Sequence, residues 1–245
     1  MKVSKSTLDI LKNFTKINGN IKFNASNKIR TGFKRSVYAQ ANLEDMFPHE
    51  FCIHDLNQFV RLLTMDTETC EIDIDDDYVY ISSYNGRSNV KYRTSSEATI
   101  FVPEIKILED RGDNIFLSAE PQNNSQNKAS HIEKIIPVIS TFEMNKETRT
   151  LIDSYSSTLN TPQLKFASDG KKVFAECFDA KKSGRSFNSG KIIIGENNDI
   201  FEFVMSVENF NIIQDDYLIK ITNNAILMRG KTYQVDYYIG AFSGI

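Results

Sequence analysis

The chain contains no tryptophan, five prolines and three cysteines in 245 residues. An odd set of cysteines (Cys52, Cys70 and Cys177, with no CxxC pair) argues against a disulfide framework and for a reducing compartment. The three histidines, His49, His54 and His131, show no HxxxH or HExxH spacing, so nothing promotes a metal site or a cofactor. No apolar run approaches the roughly 18 residues of a membrane-spanning helix, and the N-terminus lacks an apolar signal region. A soluble cytoplasmic protein without a membrane partner is expected. The formal charge of −3 excludes a uniformly basic nucleic-acid binder. It leaves open a protein that gathers its cations on one face.

What is present is mostly short strand signals rich in Val, Ile, Phe and Tyr. Examples are VYAQANL, CEIDID, YVYISSY, ATIFV, NIFLSAE, KVFAECF, KIIIG, IFEFVM, YLIKIT and YQVDYYIGAF. Turn signals at Ser168-Asp169-Gly170, Glu196–Asp199 and Arg229-Gly230 separate pairs of them. Four segments read as helices: 4–17, HDLNQFVRLLTM with Asp55 as cap, MNKETRTLIDSYSS with Asn145 as cap, and the short SVENFNIIQ with Ser206 as cap. The polar stretch AEPQNNSQNKAS reads as a linker. The expectation is therefore an α+β chain of two β-rich domains, 1–118 and 135–245, joined by a linker at 119–134. The two halves repeat one architecture without a residue-by-residue repeat.

The first helix is amphipathic. On a wheel of about 100° per residue, Leu8, Ile10, Leu11, Phe14 and Ile17 share one side, while Lys5, Asp9, Lys12 and Lys16 share the other. The third helix is read in the same way, with Lys146, Arg149, Asp153 and Ser156 outward and Leu151, Ile152 and Tyr155 inward. Arg61 stands on the polar side of the second. Each polar face can be plain solvated surface, with Asp9 pairing Lys5 or Lys12 across a turn. Cations gathered on helix faces of an acidic chain also suit a contact with a polyanion that reads no sequence.

MKVSKSTLDILKNFTKING resembles the N-terminus of the sliding clamps, the DNA polymerase processivity factors, of large tailed phages. FCIHDLNQFVRLL is similar to that family's second helix, and SEATIFVPE to a strand and proline of its first domain. The resemblance implies a homotrimeric ring of two-domain subunits of the DNA-clamp fold, with helices lining the hole and sheets outside. It further implies double-stranded DNA through the hole, loading by an ATP-dependent clamp loader, tethering of the DNA polymerase through short peptides, and activation of late transcription. No catalytic residue, metal or cofactor belongs to such a protein, so no enzyme is expected. Under this reading Lys5, Lys12, Lys16, Arg61, Lys146 and Arg149 face DNA, in the cytoplasm of an infected cell. The rival readings are a β-rich phage structural protein and an open DNA-binding accessory protein.

Two other signals are set aside. EIDIDDDYVYI spaces its aspartates like a calcium loop, but Tyr78 stands where glycine is needed and Tyr84 where the bidentate glutamate belongs. GRSFNSGKI is one residue too long for a phosphate-binding loop and has Ile192 in place of Ser or Thr. LEDRGD, before the polar stretch, fits no motif.

Overall fold

Burial that alternates from residue to residue marks many of the strands, as over Ser140–Met144, where Ser140, Phe142 and Met144 are buried and Thr141 and Glu143 exposed. The computed structural model describes residues 1–33, 36–103, 105–119, 132–181 and 188–241. The chain divides into two compact units: residues 1–34, 39–102 and 233–235 form the first, and 35–38, 103–232 and 236–245 the second.

The first unit holds α1 (Lys5–Phe14), β1 (Ile21–Phe23), β2 (Lys28–Phe33), β3 (Val37–Asn42, its first two residues grouping with the second unit), β4 (Phe51–Ile53), α2 (Leu56–Leu63), β5 (Glu71–Ile74), β6 (Tyr78–Ser83) and β7 (Ser88–Arg93). Strands run in the order β3-β2-β1-β4 in one sheet and β5-β6-β7 in another, with β1 antiparallel to β2 and β4, and β6 antiparallel to β5 and β7. Helix and strand faces meet over an aromatic core. Phe23 of β1 stacks on Phe51 of β4 at 4.4 Å between ring centroids, with Phe47 and Phe59 at its edges. Each such ring pair adds about 0.5–1.5 kcal/mol beyond its buried area.

The second unit holds β8 (Ile105–Asp110), β9 (Asn114–Ala119), β10 (Ile132–Pro137), β11 (Ser140–Met144), α3 (Lys146–Leu159), β12 (Gln163–Asp169), β13 (Lys172–Phe178), β14 (Gly190–Glu196), β15 (Ile200–Ser206), β16 (Tyr217–Ile221), β17 (Ala225–Gly230) and β18 (Val235–Gly240, whose Val235 groups with the first unit). Its sheets are ordered β10-β9-β8, β14-β13-β12-β15 and β11-β16-β17-β18. The path repeats that of the first unit: a helix, four strands ordered third-second-first-fourth, a short helical element, then a three-strand meander. Even the first strand has its counterpart, since Lys2 bridges Glu71 of β5 as β11 pairs β16. Phe166, Phe142, Phe201 and Phe210 form the matching aromatic core. The architectural repeat expected from the sequence is thus present without repeated residues.

The turns obey local chemistry. Asp169 Oδ1 accepts from the Lys171 and Lys172 amides at 2.9 and 2.8 Å, and Gly170 supplies φ +83° between β12 and β13. Asp75 Oδ1 accepts from the Asp77 and Tyr78 amides, so the acidic run is the hairpin turn joining β5 to β6. Among the described residues no group of His, Cys, Asp or Glu is placed to hold a metal. Among the described residues, too, no helix is long and apolar enough to cross a membrane.

Four elements differ from their sequence reading. ATIFV is no strand: Ser96 Oγ accepts from the Ala98 amide and starts a single 3-10 turn over Glu97–Thr99. The fourth helix shrinks to a 3-10 turn over Val207–Phe210, where Ser206 makes no side-chain cap and Asn211 Nδ2 bonds back to the Glu208 carbonyl. The turn between β17 and β18 falls at 231–234, one step past Arg229-Gly230. The units part at Val102/Pro103, upstream of the linker proposed at 119–134, because β9 and β10 pair from Ala119↔Ile132 onward within the second unit. Residues 120–131 of that stretch, His131, and 182–187 of the rejected phosphate-loop motif lie outside the described residues.

LEDRGD gains a role. Asp110, at the end of β8, accepts from Lys220 Nζ of β16 at 2.5 Å and faces Arg229 of β17 at 3.3 Å. Lys220 also donates to the Gly112 carbonyl at 2.7 Å, and Arg229 pairs doubly with Asp236 of β18. Lys220 and Asp110 are both buried, and the added bonds are what make such a pair tolerable in a dry setting.

Candidate nucleic-acid interface

α1 is built from both ends. Ser4 Oγ accepts from the Thr7 amide at 3.2 Å, while the Ser4 amide itself donates to Asp45. Leu8, Ile10, Leu11 and Phe14 are buried, at roughly 1.5–3 kcal/mol each. That burial fixes the roll of the helix and leaves Lys5 and Lys12 exposed, with Lys16 exposed in the turn that follows. Lys12 in the last turn also suits the negative end of the helix dipole.

α2 starts where α1's loop ends. The Leu56 amide donates to the Gly19 carbonyl at 2.8 Å, and Asp55 Oδ1 caps the Gln58 amide at 2.8 Å. Leu56, Phe59, Val60 and Leu63 are buried, and Arg61 is exposed. Among the described residues, the side chains of Lys5, Lys12, Lys16 and Arg61 have no hydrogen bond or ion pair. The first unit therefore presents four unsatisfied cations on α1, its following turn and α2.

α3 departs from its reading. Asn145 Oδ1 caps the Thr148 amide at 2.9 Å as expected, and Lys146 is exposed with its side chain unpaired. Arg149, expected outward, is 7% exposed, and Ser156 is buried beside it, whereas Leu151 is 45% exposed. The inward stripe is Thr148, Arg149, Ile152 and Ser156, a run no hydrophobicity wheel selects. It works because the Arg149 guanidinium donates to the Ile212 carbonyl at 2.9 Å, pairs with Asp153 and lies 5.5 Å from the Phe210 ring. Burial pushes its pKa below the usual arginine value. Tyr155, also expected inward, lies over Gly190, where a Cβ would meet its ring at 2.5 Å. Arg149 thus holds α3 in place and presents no open guanidinium.

Asp9 is the anion in α1's cationic row. It is partly exposed, and the Tyr233 hydroxyl donates to its Oδ2 at 3.4 Å, both residues belonging to the first unit. Nothing in the sequence near Asp9 points to Tyr233. The three thiols are buried, and burial raises the pKa of each, that of Cys177 up to about 11, which disfavours the thiolate.

Two units that repeat one chain path define the DNA-clamp fold, and the comparisons agree. The structure of A. fulgidus PCNA bound to the C-terminal region of FEN-1 superposes with TM-score 0.65 at 12% identity, covering 100% of this chain and 98% of that one. Proliferating Cellular Nuclear Antigen from Entamoeba histolytica gives 0.63 at 10% identity, with 96% and 94% covered. In sequence, residues 2–102 match the family described as DNA polymerase processivity factor, a span that ends where the first unit ends. The sliding clamp of Vibrio phage KVP40 is 24% identical over 98% of both chains. That of Escherichia phage RB69 is 34% identical over 42% of this chain and 45% of its own. The chain is thus similar, over its whole length, to phage proteins described as sliding clamps, and over its first unit to the processivity factors of DNA replication. Proteins of that class are processivity factors and not enzymes.

Proposed function

We propose that the chain closes as a homotrimeric ring around double-stranded DNA and tethers the replicative DNA polymerase for processive synthesis. In this reading an ATP-dependent clamp loader opens and places the ring in the cytoplasm of the infected host cell. The loaded ring also activates late transcription. The observation that carries the reading is the set of exposed, unpaired Lys5, Lys12, Lys16 and Arg61 on α1, the turn after it and α2 of a clamp fold whose net charge is −3. Flexible cations touch phosphates without reading bases, so the contact is attractive and still lets the ring slide. Lys146 adds one cation from α3.

Ring closure is supported by two sheet edges. β14 ends its sheet with the apolar sequence KIIIG and an Ile193 that is 61% exposed, and β7 ends another sheet. Edge strands of this kind invite pairing with another chain, and two different edges suit a head-to-tail assembly that closes by rotation. That a PCNA is solved with the C-terminal region of FEN-1 favours partner docking through short peptides here too.

Primer extension on a primed circle tests the reading. With the cognate polymerase, loader and ATP, adding the chain lengthens products made in a single binding event. Unchanged product length, with the loader shown to be active, contradicts it and favours a structural role.

A further inference from the structure

Lys5 and Lys12 lie one turn to either side of Asp9, at the i,i+4 and i,i+3 spacings where a carboxylate and an ammonium pair on a helix surface. Yet neither lysine has a partner among the described residues, and Asp9 is instead bonded to Tyr233. Tyr233 is half-buried in the turn between β17 and β18, where Gln234 takes φ +51° to bring the chain round. Residues 233–235 belong to the first unit although the strands on either side of the turn belong almost wholly to the second.

We infer that Tyr233 is a positioning residue for the phosphate contact: its hydroxyl holds the Asp9 carboxylate away from Lys5 and Lys12 and so keeps both ammoniums open to DNA. The inference rests on the reading of α1 as a DNA-facing helix. Without the hydroxyl, Asp9 swings to a lysine one turn away. Each ammonium it captures must shed that carboxylate before meeting a phosphate, so fewer counterions are released on binding. Asp9 itself persists as a neighbour that softens the attraction.

The test uses the full chain and a short linear duplex, with affinity read by fluorescence anisotropy across a range of salt. Tyr233→Phe removes only the hydroxyl. It should weaken binding about two- to fivefold at low salt and lower the salt slope by roughly 0.9, the value of one phosphate contact. Asp9→Asn should bind more tightly than the unaltered chain. In the double variant the loss caused by Tyr233→Phe should vanish, because no carboxylate is left to capture a lysine. If Tyr233→Phe leaves affinity and slope unchanged, the proposal is overturned. A loss that persists in the double variant overturns it as well and makes Tyr233 a packing residue. If the unaltered chain shows no salt-dependent binding to the duplex, the reading of α1 fails, and the proposal with it.

Discussion

The two units use their cations in opposite ways. The first leaves Lys5, Lys12, Lys16 and Arg61 in solvent without partners, on helices fixed by their apolar faces. The second turns Arg149 and Lys220 inward, against Ile212, Asp153, Asp110 and Gly112, and leaves Lys146 as the exposed, unpaired cation of α3. α1 and α3 occupy the same step of the repeated path, so the fold does not set this difference. The stripe that each helix buries does. Where the stripe is Leu8, Leu11 and Phe14, charge has nowhere to go but outward. Where it includes Arg149, the helix is fixed by a hydrogen-bonded charge, and the outward face becomes Thr150, Leu151, Ser154 and Ser157.

This contrast can be broken from the inside. Lys220→Met strands the buried Asp110 carboxylate with only the partly exposed Arg229, and should destabilise the second unit by about 3 kcal/mol. Lys12→Met in the first unit should change stability by less than about 0.5 kcal/mol. Urea unfolding of both variants compares them directly. Next in size, Arg149→Ala removes the bond to Ile212 and should cost about 2 kcal/mol. Equal, negligible effects for Arg149→Ala and Lys12→Met would erase the distinction between the helices.

It can be sharpened from the outside. Replacing Lys5, Lys12 and Lys16 together with Ala should leave the fold intact and lower the salt slope of duplex binding by up to about 2.7, three phosphate contacts at about 0.9 each. Lys146→Ala should lower it by no more than about 0.9. A larger loss from Lys146 than from the triple variant would reverse the assignment.

The smallest effect concerns turns that use carboxylates. In the first unit Asp66 accepts from the Thr69 hydroxyl and from the amides of Tyr84, Thr69 and Glu68, which holds its pKa below the usual carboxylate value. These bonds favour the ionised form, so their stabilisation is present above the ordinary carboxylate range and lost as pH falls through the lowered folded value. Unfolding midpoints measured from about pH 6 down to about pH 3 should fall less steeply for Asp66→Asn than for the unaltered chain.

Much of this was legible in the residues. Period-two strands, the Asp55 and Asn145 caps and the Asp169-Gly170 turn are local chemistry, and local chemistry can be read in order along the chain. α1 was legible because Leu8, Ile10, Leu11 and Phe14 dominate its buried side, with Thr7 and Asn13 buried among them. α3 was not, since a wheel ranks Arg149 as surface and Leu151 as core, and partners far along the chain, Phe210 and Ile212, help to reverse that ranking. Lys220 did leave a trace: a lysine between isoleucines in YLIKI must find a carboxylate if the strand is buried. Which carboxylate, Asp110, depends on strand order. Tyr233 left none, because its partner Asp9 is distant in sequence and either residue alone looks like ordinary surface.

The central claim is retention by enclosure of DNA, and one measurement bears on it most directly. The chain is loaded with loader and ATP onto a nicked circular duplex, freed of loader, and followed as the circle is cut once. Enclosure predicts stable retention on the circle and rapid loss from the linear form. Equal retention on both would contradict it.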